Sequence, residues 1–567
     1  MKKTLGTSFL LFACAAGALA QGGPPPPPPP PPPVPPPGPG PVTVPVPPQN
    51  PITVEKAALG KVLFWDEQLS STGLTACGTC HISSAGGGDP RVADPTIFST
   101  NPGPDGVFGT FDDVQASPGV PRSAADGSYV FDTSYGLNIQ VTPRKAPSSM
   151  NAGATPSLFW DGRAQGPFAD PVTGTVLIPL GAALENQALG PPLSEAEMGH
   201  EFRDWTEALA KLQVVKPLDL ASDVPLALEQ WIAGRSYPEL FQEVFGDSTL
   251  TAGRVAMAIA TYERTLLSDQ TPDDAFRNGN PAALSPLEAQ GRQLFYGPIG
   301  CGNCHSGVYF SDNVFHYIGV RPQGEDQGRF NVTGVAGDRG AMRTPGLRNV
   351  GLRGPYFHNG SAATLEEVVA FYNRGGDFNG PNKSPLIRPL GLTLQQQQAI
   401  VAYLRTGLTD PRVAQELPPF DRVTLFTEDP TLGGTTYGAG TSGSGGETPR
   451  MICYEAPSLG NPNFTLAVDR ALGGANAMLL VSTRSMPGGV PFGGATSFVS
   501  TSTGRQRLFS AGQLQGIGNG QGYGSLSLAL PASAFYDGVE LYAQWFVVDP
   551  GATNGVAASE AVRFTLY

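Results

Sequence analysis

Apolar positions recur at helical spacing in two copies of one short pattern. Ala58-Leu59-Gly60-Lys61-Val62-Leu63-Phe64 and Ala289-Gln290-Gly291-Arg292-Gln293-Leu294-Phe295 both read A-x-G-[KR]-x-L-F. The second copy has a clear helix start, with Ser285 as N-cap, Pro286 in the first turn and Glu288 completing a capping box. Leu287, Gly291, Leu294 and Phe295 then share one face. The small Gly in each copy lets a second helix approach closely. Helical periodicity continues over 193–212, 224–245 and 251–267, and again over 364–372 and 393–406. From about residue 430 the period shortens to two. Residues 477–481, 525–530 and 539–545 alternate within Gly-, Ser- and Thr-rich chain, at the spacing of a sandwich. The pattern predicts a mainly α chain of two related helical domains, 52–280 and 281–420, followed by a β-rich, sandwich-like domain over 430–567.

The length of 567 residues agrees, being too great for one core. Lys and Arg number 35 against 48 Asp and Glu, a net charge of −13. That balance argues against nucleic acid and suits a basic partner such as the positive rim of a small cytochrome; it also serves plain solubility. Met1-Lys2-Lys3, an apolar run over 9–20 and the ending Ala18-Leu19-Ala20 read as a secretory signal over 1–20, too short to span a membrane. Cys14, in Leu11-Phe12-Ala13-Cys14, weakly matches a lipoprotein box; membrane attachment is expected only if it is lipidated. Residues 21–51, with unbroken Pro from Pro24 to Pro33, read as a stiff polyproline spacer. The expected location is periplasmic or otherwise exported.

Each helical domain carries one further signature. Cys77-Gly78-Thr79-Cys80-His81 and Cys301-Gly302-Asn303-Cys304-His305 are both C-x-x-C-H, the c-type haem attachment motif. Two thiols three positions apart add to the vinyl groups of one haem, and the adjacent imidazole reaches its iron. A zinc site or redox dithiol is the competing reading. The chain has only six Cys and five His, so two chance copies are improbable. Four Cys become thioethers and Cys14 falls in the signal, which leaves Cys453 and no intramolecular disulfide framework.

Over residues 52–415 the sequence resembles the bacterial di-haem cytochrome c peroxidase and MauG superfamily. Phe159-Trp160-Asp161-Gly162-Arg163-Ala164 resembles its F-W-D-G-R-A motif. Asn186-Gln187-Ala188 and Glu195-Ala196-Glu197-Met198 resemble E-Q-A and N-P-V-E-M, with the same ten-residue step from Gln to Glu. Tyr262-Glu263-Arg264-Thr265-Leu266 is similar to F-E-R-T-L. Leu347-Arg348-Asn349 and Pro355-Tyr356-Phe357-His358-Asn359-Gly360 are similar to L-R-N and P-Y-F-H-D-G.

The resemblance implies roles for particular residues. Glu197 and Gln187 would lie on the distal side of the first haem, Glu197 as acid–base group and Gln187 as the group orienting peroxide. Taken without it, Glu197 reads as a solvated helix face. Trp160 would lie between the haems as an electron relay, a place that also fits a core Trp. His81 and His305 would be proximal ligands. Many family peroxidases carry a blocking His after the first haem motif; residues 82–159 contain none, and Met150 is their only Met. Tyr372 aligns with the sixth-ligand Met of the second haem in typical peroxidases, where MauG also has Tyr. A phenolate favours the oxidised iron, whereas Met raises the potential. Met342 and His358 remain rival ligands, and a plain helix-end aromatic remains the other reading of Tyr372. The family often holds Ca²⁺ between its haem domains through the Asn of R-N-A-P and carbonyls near T-A-P-Y. Here these read Arg144-Lys145-Ala146-Pro147 and Arg353-Gly354-Pro355-Tyr356. The Lys145 ammonium cannot ligate Ca²⁺ but can replace its charge. The Gly loop at 105–113, with Asp105, Asp112 and Asp113, is a second Ca²⁺ candidate that reads first as an acidic turn.

The expected function is that of an exported di-haem peroxidase. It would reduce H₂O₂ at the first of two covalent c-type haems, with electrons relayed through the second from a small cytochrome c or cupredoxin. Two alternatives stand beside it: a MauG-like oxidase of a protein or organic substrate, and a non-enzymatic electron-transfer or sensing cytochrome. The β domain reads as a structural or docking module.

Overall fold

The computed structural model describes residues 42–429 and 433–567. The signal at 1–20, Cys14 and the Pro24-to-Pro33 run lie outside the described residues. The proline-rich spacer was drawn to residue 51, but its last stretch is folded chain. Val42 and Asn50 are buried. The Thr43 carbonyl accepts from the Tyr309 hydroxyl, and Asn50 donates to Glu185 at 2.8 Å.

The duplicated pattern makes the same helix crossing twice. Helix Val54–Trp65, capped by Thr53, packs on helix Ala252–Glu263. A Cβ on Gly60 would stand 2.0 Å from the Ala258 carbonyl oxygen and 2.8 Å from Tyr262 Cβ. Helix Pro286–Tyr296, with Ser285 and Glu288 forming its capping box, packs on helix Leu394–Ala402. A Cβ on Gly291 would stand 1.9 Å from the Ala399 carbonyl oxygen and 2.8 Å from Tyr403 Cβ. No larger residue fits without parting the helices. The aromatic that ends each pattern meets a Tyr of the facing helix edge-on: Phe64 on Tyr262 at 5.3 Å and Phe295 on Tyr403 at 5.6 Å.

Other segments depart from the predicted helices for local reasons. Only Trp205–Leu212 of 193–212 is helical. Before it, the Ser194 carbonyl accepts the N–H groups of Glu197, Met198 and Gly199, which closes a tight loop instead. The segment 224–245 breaks at Ala233 and Gly234, both at positive φ, into Leu226–Ile232 and Tyr237–Phe245. Short strand pairs enter the first half, among them Pro118–Pro121 with Ile139–Val141. Helix amounts to 28% and strand to 20%, so the mainly α expectation is corrected to a mixed α and β chain. The reason is that the loops around the first motif pair as hairpins, in addition to the C-terminal strands.

The C-terminal strands form two larger antiparallel sheets and a separate hairpin, Ser485–Phe492 with Ala495–Val499. One has the order Arg450–Ile452, Phe464–Ala471, Gly522–Leu528. The other has the order Gln506–Gln513, Asn476–Ser482, Glu540–Val548, Val556–Thr565, Thr435–Tyr437. Phe464, Leu466 and Val468 from the first sheet meet Leu479, Trp545, Val562 and Phe564 from the second in one buried cluster. Among the described residues no helix is long and apolar enough to cross a membrane.

Candidate functional site

Each C-x-x-C-H motif is a single helical turn, Cys77–Cys80 after helix Val54–Trp65 and the short turn Glu67–Leu69, and Cys301–Cys304 shortly after helix Pro286–Tyr296. The residue after the first cysteine is Gly because an aromatic lies beneath the turn. A Cβ on Gly78 would stand 2.2 Å from the Trp65 ring, and one on Gly302 2.8 Å from the Tyr296 ring. All four thiols are free of disulfides. His81 Nδ1 lies 3.0 Å from the Gly87 carbonyl oxygen, and His305 Nδ1 lies 3.0 Å from that of Phe310. A carbonyl only accepts, so the proton sits on Nδ1 and Nε2 keeps its lone pair. That is the tautomer and orientation an iron ligand needs. Phe64 and Phe295 flank the two imidazoles at matching centroid distances of 6.3 and 6.4 Å. The two sites therefore fit haem by donor set, tautomer and backing aromatic alike.

Around the first motif, Glu197 sits in the 194–199 loop, half-buried. Burial raises its carboxyl above the ordinary range, and the Arg163 guanidinium pulls it back part of the way. Its charge is felt at both Cys77 and Cys80. Gln187 lies in helix Ala183–Ala188, and the chain passes from it through the turn Pro191–Leu193 into the Glu197 loop. Arg163 stacks on Phe159 at 3.5 Å. The sequence reading quoted Arg163 inside a motif without giving it a part; its charge next to Glu197 was the missed signal.

Around the second motif a large apolar cavity is lined by Cys301, Cys304, His305, Trp160 and Tyr372. Met342 and His358 line the same cavity, so all three candidate sixth ligands border one space. Burial, followed by Cys301 and Cys304, raises the Tyr372 phenol. Trp160 is fixed from two sides: its indole donates to the Lys145 carbonyl at 2.8 Å, and its ring meets His358 edge-on at 6.2 Å. Lys145 is buried, its amide donates to the His358 carbonyl at 2.8 Å, and its ammonium donates to the Arg353 carbonyl at 3.0 Å.

The 105–113 loop uses its carboxylates internally. Asp105 accepts from Val107 N, Asp112 from Thr110 and Asp105 N, and Asp113 from Gly109 N. Among the described residues the single His/Cys/carboxylate cluster compact enough for a metal ion is Cys304, Asp312 and His316, where Cys304 belongs to the haem motif.

A family model described as di-haem cytochrome c peroxidase matches residues 54–282. The methylamine utilization protein MauG of Methylorubrum extorquens is 29% identical over 365 residues, covering 64% of this chain and 80% of that protein. The cytochrome-c peroxidase IdrP1 of Denitromonas iodatirespirans is 30% identical over 398 residues, covering 64% of this chain and 84% of that protein. The cytochrome c551 peroxidase of Nitrosomonas europaea is 29% identical over 344 residues, covering 59% of this chain and 79% of that protein. With paired C-x-x-C-H turns built on one repeated helix crossing, the chain belongs to the di-haem cytochrome c peroxidase and MauG superfamily and is an oxidoreductase of the cytochrome-c peroxidase type.

Proposed function

We propose that the protein is an exported peroxidase that reduces H₂O₂ at a haem on Cys77, Cys80 and His81. Electrons would reach it through a second haem on Cys301, Cys304 and His305. The observation that carries this reading is the state of Glu197. Its carboxyl is raised by burial and, among the described residues, accepts no hydrogen bond from the protein. A group so placed keeps its proton to higher pH than an ordinary carboxyl and has its hydrogen-bonding capacity free for a small ligand. Gln187 likewise makes no side-chain hydrogen bond among the described residues and is free to orient that ligand. The haems would supply the electron storage and the oxygen-binding position; the chain supplies proton movement at Glu197, orientation at Gln187 and a fixed indole at Trp160. The donor is a small cytochrome c or cupredoxin, matched to the acidic chain by charge. Steady-state H₂O₂ turnover with reduced cytochrome tests the reading, and an enzyme inert to both would remove it.

A second reading is favoured by Tyr372 on the second cavity and by the lack of His in 82–159. It is a MauG-like oxidase whose oxidising equivalents act on a protein or organic substrate. Peroxide-dependent oxidation of such a substrate without a reduced cytochrome separates the two.

A further inference from the structure

The sandwich over 433–567 carries no catalytic cluster, yet one of its outer faces is covered. In strand Phe464–Ala471 the side chains of Phe464, Leu466 and Val468 enter the interior, so Thr465 and Ala467 face outward. That outward face meets the tip of the 118–141 hairpin. The Thr465 hydroxyl donates to the Gly127 carbonyl at 2.9 Å, and Ser525 accepts from Tyr129 N at 2.9 Å. Arg450 donates to Asn138 at 2.9 Å and the Tyr454 hydroxyl to the same oxygen at 3.3 Å. Phe131 stacks on Tyr523 at 4.5 Å. Tyr129, Leu137, Ile452 and Ala467 close a shared buried cluster.

The base of the same hairpin runs along the Glu197 loop. A Cβ on Gly119 would stand 1.9 Å from the Ala196 carbonyl oxygen and 2.9 Å from Glu197 Cα, so backbone lies on backbone. Gln140 donates to the Glu195 carbonyl at 2.9 Å. Arg122 pairs with Glu201 at 2.6 Å, and Glu201 N donates to the Ser123 carbonyl at 2.8 Å. On its other side, Arg91 donates to the Pro118 carbonyl at 2.7 Å and reaches Cys80 Sγ at 3.4 Å. The hairpin is thus wedged between the first haem turn and the distal loop, with its tip held by the sandwich.

We infer that the C-terminal sandwich is a positioning domain, which acts through the 118–141 hairpin to hold Glu197 at its working distance from the first haem. The inference rests on the acid–base reading of Glu197. Gly119 is the positioning residue nearest the site, because only a residue without Cβ lets the hairpin lie on the loop. The distal loop has no regular secondary structure of its own, and its three amides share one carbonyl at Ser194. Its geometry therefore depends on what is pressed against it.

The test uses full-length diferric holoprotein carrying Asn138→Ala with Arg450→Ala, outside both C-x-x-C-H turns and the 194–201 loop. Hydrogen exchange of the 194–201 backbone should quicken by about tenfold. Peroxide-driven spectral change of the first haem should slow by about tenfold, since small misplacements of a catalytic group cost at least that much. Dithionite reduction of the second haem should be unchanged. On a Glu197→Gln background the interface substitutions should produce no further slowing, as expected for residues acting through one group. Tyr454→Phe with Ser525→Ala, which deletes two hydroxyls and leaves the packing, is the second variant should the first lose its fold; it should show the same exchange change at smaller size. Unchanged exchange over 194–201, even with a lower melting temperature, overturns the inference and makes the interface simple domain adhesion. Full slowing on the Glu197→Gln background overturns it as well. If Glu197→Gln alone leaves the rate intact, the acid–base reading fails, while the exchange result still decides whether the sandwich holds the loop.

Discussion

The Lys145 ammonium donates to the Arg353 carbonyl at 3.0 Å, joining the two haem halves through one buried cation. Burial, aided by Arg353, brings this Lys down to about 7, so near neutral pH it divides between charged and neutral forms, either of which donates. The amide and carbonyl of the same residue hold His358 and Trp160. One residue thus bonds across the two halves through its side chain while its peptide groups hold His358 and the Trp160 indole.

The first prediction follows directly. Exhaustive EDTA treatment should leave the optical spectra and peroxide turnover of the holoprotein unchanged. Lys145→Met should leave the Arg353 carbonyl without its partner and cost about 1–3 kcal/mol, read as a lower melting temperature. Loss of activity on chelation, restored by Ca²⁺, would show that a metal ion holds the halves together.

Two haems per chain should survive denaturation, measured as the pyridine haemochrome. Cys77→Ala with Cys80→Ala should remove one of them. A stoichiometry below two in fully matured protein would contradict covalent attachment at both turns.

Glu197→Gln should slow peroxide-driven oxidation of the first haem by about 10²- to 10⁴-fold, the usual contribution of a positioned acid–base group. Stopped-flow spectroscopy reads it. An unchanged rate with the haem in place would return Glu197 to a structural role.

The two C-x-x-C-H turns and the helix crossings behind them were legible because their spacing is short and local. C-x-x-C-H fixes two thiols and an imidazole within five positions, and Gly60 and Gly291 announce their helix crossings by size alone. The Glu197 loop was not legible in the same way. Its apolar spacing is compatible with a helix, and what diverts it is the three-way acceptor at Ser194 together with the hairpin on its back. The first is local, but the second depends on contacts more than 50 residues away in sequence, as in the Gln140 bond to Glu195. Arg163 shows the same limit: a motif names the residue, and only the fold brings its charge to the carboxyl.

Tyr372→Met should raise the potential of the second haem, since a thioether favours the reduced iron more than a phenolate does. With no His in 82–159 to block the first haem, the diferric protein should react with H₂O₂ without prior reduction. Potentiometric titration and stopped-flow mixing check the two parts. A diferric protein that turns over only after one-electron reduction would point to Met342 or His358 as the working ligand.

Glu67 links stability to pH. It is buried and accepts from Phe426 N and the Thr427 hydroxyl, each at 2.6 Å. Burial pushes it from an ordinary 4.5 up to about 7, against the pull of those bonds. The folded chain therefore binds this proton more tightly than the unfolded chain. Its contribution is complete below pH 4.5 and is lost as pH rises through 7. Relative to Glu67→Gln, the wild type should lose melting temperature steadily between pH 5 and about 8. Parallel profiles for the two proteins would contradict a raised Glu67.

The matching contacts of Gly60 with Ala258 and of Gly291 with Ala399 place one steric demand behind both C-x-x-C-H turns, so these crossings do not distinguish the two centres. The two centres differ in what covers the turns: the first has the Glu197 loop with the 118–141 hairpin against it, the second an apolar wall with Tyr372. A chimaera that exchanges only those covering segments should therefore move chemical character from one iron to the other while both helix crossings stay as they are.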